Sequence, residues 1–189
     1  MTFLGIAETL QGDMTGYIPS NLASMCDGQI CLSSAIFAEG FRPAIDIPLS
    51  LSILGGRTQP PVIKALSRNL RAEFARYTEV LALSRLQSGL SEEAQAMVKR
   101  GEALTAVLQK AQFSPVCLAE QVLLLYALDK GCLEDLDADE KSRFRKRIFA
   151  FAREKNRGLM DGIEASVDLT TEMRKGLEAV LDLYFQEQS

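Results

Sequence analysis

The chain of 189 residues contains no histidine and no tryptophan. Without histidine it lacks the usual general base near neutral pH and the commonest metal ligand of proteins. A serine or cysteine nucleophile activated by histidine is therefore excluded. The four cysteines show no Cys-x-x-Cys pair and no zinc spacing, so we expect buried free thiols and no metal site, with a disulfide or a metal site as the less favoured alternative.

Two phosphate-binding patterns are also missing. The sequence contains neither Gly-x-x-x-x-Gly-Lys-[Ser/Thr] nor Gly-x-Gly-x-x-Gly. Carboxylate pairs such as Glu92-Glu93 fall where helices are predicted to begin, and there helix capping explains them without catalysis. No apolar run reaches the roughly 18 residues of a membrane span, and the N-terminus lacks a basic signal-peptide flank. The sequence alone therefore predicts no catalytic residue, no membrane insertion and a cytosolic location.

The charge is modest and of mixed sign. The net charge of -4, with 47% hydrophobic and 24% charged residues, is typical of a soluble folded protein and disfavours a general affinity for nucleic acid. Between Lys141 and Arg147, five of seven residues are basic. Nucleic acid or anionic lipid would suit this run, but it surrounds the apolar positions Phe144 and Ile148. We interpret it as a solvated helix face and predict no nucleic-acid partner.

Residues 1–57 have the pattern of a partial α/β segment. The pair Asp27-Gly28 favours a two-residue hairpin turn that would place Ser24 opposite Cys31. A sheet of this kind needs neighbouring strands and covering helices, which so short a segment cannot supply, so it is predicted to be the tail of a larger sheet. The predicted strands are Thr2–Glu8, Leu22–Cys26, Gln29–Leu32 and Ala44–Leu54, with one helical turn at Ala35–Ala38.

After Gly55-Gly56 the period of the apolar residues becomes helical and stays so to the end. Short loops between the helices predict a compact bundle of five to six helices, which makes the chain mainly α. The predicted helices run from Pro60 to a stop at Gly89, from a cap at Ser91 to Leu108, from Ser114-Pro115 to Gly131, from a capping box at Asp137 to Asn156, over Leu159–Ala165, and from Thr170 onward.

Four motifs occur in a fixed order along the chain. They are Gly12-Asp13-Met14-Thr15-Gly16-Tyr17-Ile18-Pro19-Ser20-Asn21, Asp27-Gly28-Gln29-Ile30, Phe41-Arg42-Pro43-Ala44-Ile45, and Gln112-Phe113-Ser114-Pro115 followed by Glu120-Gln121-Val122. In sequence and spacing they resemble the last third of the alpha subunit of the F-type rotary ATP synthase. The resemblance extends from about residue 6 to about residue 150.

The resemblance implies two domains. Residues 1–57 would be the C-terminal remnant of a P-loop nucleotide-binding domain, and residues 58–189 the C-terminal helical domain. The chain would be a structural and regulatory, non-catalytic part of a proton- or sodium-translocating ATP synthase, peripheral to the membrane in its headpiece. Its partners would be the beta subunits and the gamma rotor subunit. ATP or ADP with magnesium is implied only for the full-length subunit, and no cofactor is expected for this chain alone.

The resemblance also implies a nucleotide site. Arg42 and Pro43, with Lys110 and Gln112, match positions that line the alpha subunit's own regulatory site. Lys110 stands where the family commonly has glutamine. From the residues alone, Arg42 has a simpler interpretation, as a turn arginine paired with a carboxylate such as Asp46.

Three further residues match positions facing the neighbouring catalytic site, namely Ser24, Leu51 and Ile53. Ile53 occupies the place of the family's arginine finger, and Arg57 follows four residues later, beyond two glycines. The segment Leu90-Ser91-Glu92-Glu93 matches the region that approaches the rotor. The sequence Arg57-Thr-Gln-Pro-Pro favours a divergent branch of the family. The alternative function is a stand-alone, truncated helical binding module that handles no nucleotide.

Overall fold

The computed structural model describes residues 2–84, 91–166 and 168–188. The chain divides into two compact units, Met1–Gln59 and Pro60–Ser189, and each is described by itself. In the first unit, a 3₁₀ turn at Leu10–Gly12 precedes α1 (Tyr17–Met25), β1 (Gly28–Leu32), α2 (Ser34–Ala38), β2 (Ile45–Ser52) and the short α3 (Gly55–Thr58). The predictions of β1, α2 and β2 are confirmed. Thr2–Glu8 contains no strand, so that prediction was wrong.

The segment predicted as the strand Leu22–Cys26 belongs to a helix, α1. Pro19 is compatible with this helix because it lies in the first turn, where the missing N–H would have no intrahelical acceptor. The predicted hairpin at Asp27-Gly28 is therefore also wrong. Ser24 lies on α1, where its hydroxyl donates to the carbonyl oxygen of Asn21 at 2.7 Å. The partner of β1 is β2, which pairs with it antiparallel across an intervening helix.

The two strands pair with an irregularity in β2. Cys31 is opposite Asp46, whereas Gln29 is opposite Leu51, so β2 carries extra residues between these pairs. Ser50 supports the bulge, since its hydroxyl oxygen accepts from the Cys31 N–H at 3.0 Å and donates to the Asp46 carbonyl at 2.6 Å. Gly28 is required at the end of the ladder, because a Cβ there would lie 2.7 Å from the carbonyl oxygen of Leu51.

The first unit buries few of its side chains. Among the described side chains of residues 2–59, Cys31 alone is buried. The large apolar side chains that it exposes are Phe3, Leu4, Ile6, Leu10, Tyr17, Ile18, Met25, Ile30, Leu32, Phe37, Leu49, Leu51, Ile53 and Leu54.

The second unit is a bundle of seven helices within its described residues. They are α4 (Pro61–Leu66), α5 (Leu70–Ser84), α6 (Glu92–Leu108), α7 (Leu118–Asp129), α8 (Ala138–Lys155), α9 (Arg157–Ala165) and α10 (Thr171–Gln188). The predicted fold class, a helical bundle after a partial α/β segment, is confirmed. The first predicted helix is divided at Ser67–Asn69 because α4 packs on α7 whereas α5 packs on α6. Its predicted stop at Gly89 lies outside the described residues.

The helix predicted from Ser114-Pro115 begins later, at Leu118. Its first N–H groups are satisfied by another helix. Glu164 of α9 accepts the N–H of Ala119 at 2.8 Å and that of Leu118 at 3.4 Å. Because this carboxylate caps α7 from 45 residues away, no local signal marks the start of the helix.

The predicted start of α9 at Leu159 was late, because Asn156 accepts the Leu159 N–H at 3.1 Å and the helix begins at Arg157. Three other helix ends agree with their sequence signals. The Ser91 hydroxyl accepts the Ala94 N–H at 3.2 Å. Asp137 and Glu140 form the reciprocal capping box, with distances of 2.7 and 2.9 Å. Gly131, just after α7, has a φ of 73°, a left-handed conformation that favours glycine.

Helix α7 is the centre of the bundle. It contacts α4, α6, α8, α9 and α10 and is apolar on nearly all sides, with Val122, Leu123, Leu124, Tyr126, Ala127 and Leu128 buried. A second cluster joins α8 to α10, where the rings of Phe144 and Tyr184 meet edge to face at 5.3 Å. Among the helices of the described residues, none has the length and apolar character needed to cross a bilayer.

Candidate functional site

Arg42 and Pro43 lie in the loop between α2 and β2, and both are exposed. The peptide bond that joins them is cis. The Arg42 guanidinium lies 4.0 Å above the ring of Phe37, a cation–π contact that holds the side chain against α2. Asp46 does not pair with Arg42 in the described unit, and its carboxylate instead accepts the Leu49 N–H at 3.0 Å. The interpretation of Arg42 as a turn arginine paired with Asp46 is therefore wrong.

Lys110 and Gln112 lie in the loop after α6, in the second unit, and both are exposed. The next residue, Phe113, has a φ of 58° and is 92% exposed. A phenylalanine gains nothing locally from this left-handed conformation or from its exposure. The loop therefore presents polar groups and an aromatic ring together. The four predicted nucleotide-site residues are divided equally between the two units.

Ile53 directly follows β2. Its N–H donates to the Asp27 carbonyl at 2.9 Å, which continues the β1–β2 pairing by one residue. The Ile53 side chain is 63% exposed, that of Leu51 is 50% exposed, and Ser24 is exposed on α1. All three residues are thus accessible on the first unit. An aliphatic side chain at position 53 has no charge and no hydrogen-bond donor.

Arg57 lies in α3, on the far side of a tight turn from Ile53. The Ser52 hydroxyl accepts the Gly55 N–H at 3.0 Å, and a Cβ at Gly55 would lie 2.3 Å from that oxygen. The Thr58 hydroxyl closes the same turn on the Gly55 carbonyl at 3.3 Å. Arg57 follows this turn within α3, and its side chain is exposed.

In the first motif, Asp13 organises a turn. Its Oδ1 accepts both the hydroxyl of Thr15 at 2.6 Å and the Thr15 N–H at 2.8 Å. These hydrogen bonds, the side-chain one first, hold the pKa of the Asp13 carboxyl below its ordinary value. The described residues contain no group of three or more histidine, cysteine or acidic side chains placed to hold a metal ion. In the segment predicted to approach the rotor, Ser91 and the two glutamates begin α6, and Leu90 lies outside the described residues.

A cavity in the second unit was not anticipated from the sequence. Its volume is about 310 Å³, and it lies where the N-terminus of α7 meets α8 and α9. Phe149 and Met160 supply apolar walls, and Arg153 and Glu164 are among its charged residues. The lining residues come from α7, α8, α9 and the loop before α7, so no pattern of spacing in the sequence could have indicated the cavity.

Comparison with known proteins identifies the class. Residues 59–184 match the family described as ATP synthase alpha/beta chain, C terminal domain, and residues 1–52 match the ATP synthase alpha/beta family, nucleotide-binding domain. The chain belongs to the ATP synthase alpha/beta family.

Within that family, the similar curated proteins are alpha subunits. The chain is 37% identical to ATP synthase subunit alpha of Acidithiobacillus ferridurans, an alignment that covers 96% of the chain and 35% of the relative. It is 36% identical to subunit alpha 2 of Vibrio campbellii, over 100% of the chain and 37% of the relative. The chain spans about a third of the length of these relatives. The family prediction from the four motifs is confirmed, and the similarity to alpha subunits favours it over a stand-alone binding module.

Proposed function

We propose that the chain acts as the C-terminal portion of an ATP synthase alpha subunit. In this proposal residues 1–57 complete a nucleotide-binding domain and residues 58–189 form the C-terminal helical domain. The chain works in the headpiece, peripheral to the membrane, beside beta subunits and the gamma rotor subunit. The observation that carries the proposal is the apolar surface of the first unit, taken with the family match over both segments.

The exposed apolar side chains of the first unit require burial against another part of the protein or another subunit. Ordering the backbone costs about 1–2 kcal/mol per residue, and burial of apolar surface is the main term that offsets this cost. With Cys31 alone buried among its described side chains, residues 2–59 offset little of it. An adjoining part of a nucleotide-binding domain and a neighbouring subunit would cover the exposed apolar side chains. Ser24, Leu51 and Ile53 belong to the proposed interface with the beta subunit.

Nucleotide handling belongs to the longer subunit in this proposal. Arg42, Pro43, Lys110 and Gln112 contribute contacts to the regulatory site, with Arg42 already oriented by the ring of Phe37. The chain has no P-loop to hold the phosphates and magnesium. Since association also costs several kcal/mol, we expect the chain alone to bind ATP more weakly than about 100 µM, or about 5.5 kcal/mol. Isothermal titration with millimolar ATP and magnesium measures this, and tighter saturable binding would contradict it.

Ile53 implies slow multisite turnover. An arginine donated across a subunit interface is worth about 10³–10⁵ in rate, or about 4–7 kcal/mol, because it stabilises charge on the transferring phosphoryl group. Isoleucine cannot replace it. Nucleotide binding by the catalytic sites should be largely retained, whereas steady-state hydrolysis should be slow.

A chimaera tests both parts of the proposal. This chain replaces the matching residues of the A. ferridurans alpha subunit, which is then co-expressed with the beta and gamma subunits of that organism. We expect an assembled complex by size-exclusion chromatography, with slow ATP hydrolysis. Ile53→Arg in the chimaera should raise hydrolysis a hundredfold or more, and Arg57→Ala should change it little.

Each arm of the experiment can fail separately. Absence of assembly, with the native alpha subunit assembling in parallel, would refute the proposed alpha-subunit role. Assembly without a gain from Ile53→Arg, together with a collapse on Arg57→Ala, would assign the finger to Arg57. The matched control is Ile53→Gln, which supplies a donor without the positive charge.

A further inference from the structure

The basic run in α8 is divided between the interior and the surface. Lys141 is 6% exposed, and its Nζ lies 3.6 Å from a carboxylate oxygen of Glu102. Arg145 points to α6 and α7, donating to the Val107 carbonyl at 3.2 Å and lying 4.0 Å from Glu120. Two of the five cations are therefore structural, and the interpretation of the whole run as a solvated face was wrong for them.

The remaining cations form an exposed stripe. Arg143, Lys146 and Arg147 are exposed, and none of them makes an ion pair with a described residue. They stand at i, i+3 and i+4, the spacing that places side chains of like charge beside one another on a helix. Such an arrangement disfavours the helix unless negative charge comes from elsewhere. Arg153, also exposed and without an ion pair among the described residues, extends the stripe to a length of about 15 Å.

The stripe borders the cavity between α7, α8 and α9. Lys146, Phe149 and Arg153 follow one another at i, i+3 and i+7, so they share one side of α8. Phe149 and Arg153 both line the cavity, and the guanidinium of Arg153 lies 5.8 Å from the centre of the Phe149 ring. The stripe thus leads from exposed cations into an opening with apolar walls.

The cavity's carboxylates are already engaged. Glu164 accepts the first N–H groups of α7, Glu120 lies beside Arg145, and Asp161 pairs with Arg157 at 3.6 Å. Arg153 is the one cation among the residues that line the cavity, and it makes no ion pair with a described residue.

We propose that the exposed stripe of α8 and the adjoining cavity bind an acidic segment of a partner polypeptide. Its carboxylates pair with Arg143, Lys146, Arg147 and Arg153, and one of its apolar side chains enters the cavity beside Phe149. Charge complementarity selects this occupant. A membrane or a nucleic acid presents a continuous negative surface, which the acidic residues next to the stripe, such as Glu154 and Asp161, would repel. A peptide can instead place carboxylates opposite the cations and an apolar side chain at the cavity.

Fluorescence anisotropy with the full 189-residue chain tests the proposal. The probe is a labelled 16-residue peptide of four Glu-Glu-Ala-Leu repeats in about 50 mM salt. We expect saturable binding that weakens several-fold at about 300 mM salt, since exposed charges are then screened. The triple variant R143Q/K146Q/R147Q should raise Kd at least tenfold. The matched control K64Q/R174Q/K175Q removes the same charge from exposed positions of α4 and α10 and should change Kd less than twofold.

Two further comparisons separate the possible occupants. Replacing each leucine of the probe by alanine should weaken binding at least threefold, and Phe149→Ala should abolish that difference while circular dichroism shows a retained fold. Equal Kd values for the two triple variants would overturn the proposal, and so would equal binding of a Lys-Lys-Ala-Leu peptide. Binding of duplex DNA or of vesicles with 30% phosphatidylserine, with no binding of the acidic peptide, would overturn it as well.

Discussion

Gly101 allows α6 to pack closely against α5, and replacing it by alanine should destabilise the helical unit. A Cβ at this position would lie 2.1 Å from Cγ and Cδ2 of Tyr77 and 2.7 Å from its Cβ. The ring of Tyr77 in turn lies 6.1 Å from that of Phe74, which is buried. The ring and the attached Cβ therefore both obstruct the new methyl group, so a change of rotamer alone cannot make room for it.

Two opposing terms set the magnitude. Alanine is favoured over glycine in a helix interior by about 1 kcal/mol, whereas overpacking a core costs about 1–3 kcal/mol or more. The matched control is Gly162→Ala in α9, where the added Cβ would lie at an ordinary 3.6 Å from the flexible end of Met173. Both variants gain the helix term and only Gly101→Ala meets the clash, so their free energies of unfolding should differ by about 1–3 kcal/mol.

Urea unfolding followed by far-ultraviolet circular dichroism measures this difference. With an m value of about 2 kcal/mol per molar urea, the midpoint for Gly101→Ala should fall roughly 0.5–1.5 M below that for Gly162→Ala. In a Tyr77→Ala background the two closest contacts disappear, and the cost of Gly101→Ala should shrink by about 1 kcal/mol or more. Equal midpoints for the two single variants would refute the close approach of α5 and α6.

Two further predictions concern stability. Glu178 accepts from Tyr126 at 3.0 Å and from Lys130, and these hydrogen bonds, that from Lys130 first, hold the pKa of its carboxyl below the ordinary 4.5. Since the pKa is lowered in the folded state, the stabilisation is present above pH 4.5 and is lost as the pH falls through the folded-state pKa. The urea midpoint of wild type should therefore decline more steeply than that of Glu178→Gln below pH 4.5. Parallel declines would contradict this prediction. Hydrogen exchange of the dilute chain should show less protection in residues 2–59 than in residues 60–189, because the first unit buries so little, and equal or greater protection there would be the contrary result.

Local signals predicted the starts of α6 and α8, whose capping partners are local. Ser91 and the Asp137–Glu140 capping box satisfy N–H groups within their own first turns, so the sequence pattern is sufficient to place them. The start of α7 could not be placed in this way, because its cap is Glu164 from another helix. The strand predicted at Leu22–Cys26 failed for a related reason. The Asp27-Gly28 signal favours a local hairpin, yet β1 pairs with β2, which lies beyond α2.

The same distinction applies to the candidate sites. Motif resemblance proposes Arg42 and Gln112 as nucleotide-site residues, but it could not predict the contact of Arg42 with Phe37, which depends on the turn between α2 and β2. In the run from Lys141 to Arg147, composition alone could not tell inward from outward cations. The packing of α8 on α6 and α7 decides this, since it directs Lys141 to Glu102 and Arg145 to Glu120. The exposed cations of the stripe can be told apart from Lys141 and Arg145 only once this packing is known.

The burial pattern also determines how Ile53→Arg can be interpreted. Ile53 is 63% exposed, and its hydrogen bond to Asp27 is made by the backbone N–H, which any residue except proline retains. Exposed substitutions away from caps and special backbone positions usually change stability by within about 0.5 kcal/mol. The expected gain in hydrolysis, a hundredfold or more, corresponds to about 2.7 kcal/mol of barrier. Because this exceeds any plausible effect of the substitution on folding, a gain of that size would report on the phosphoryl-transfer step itself.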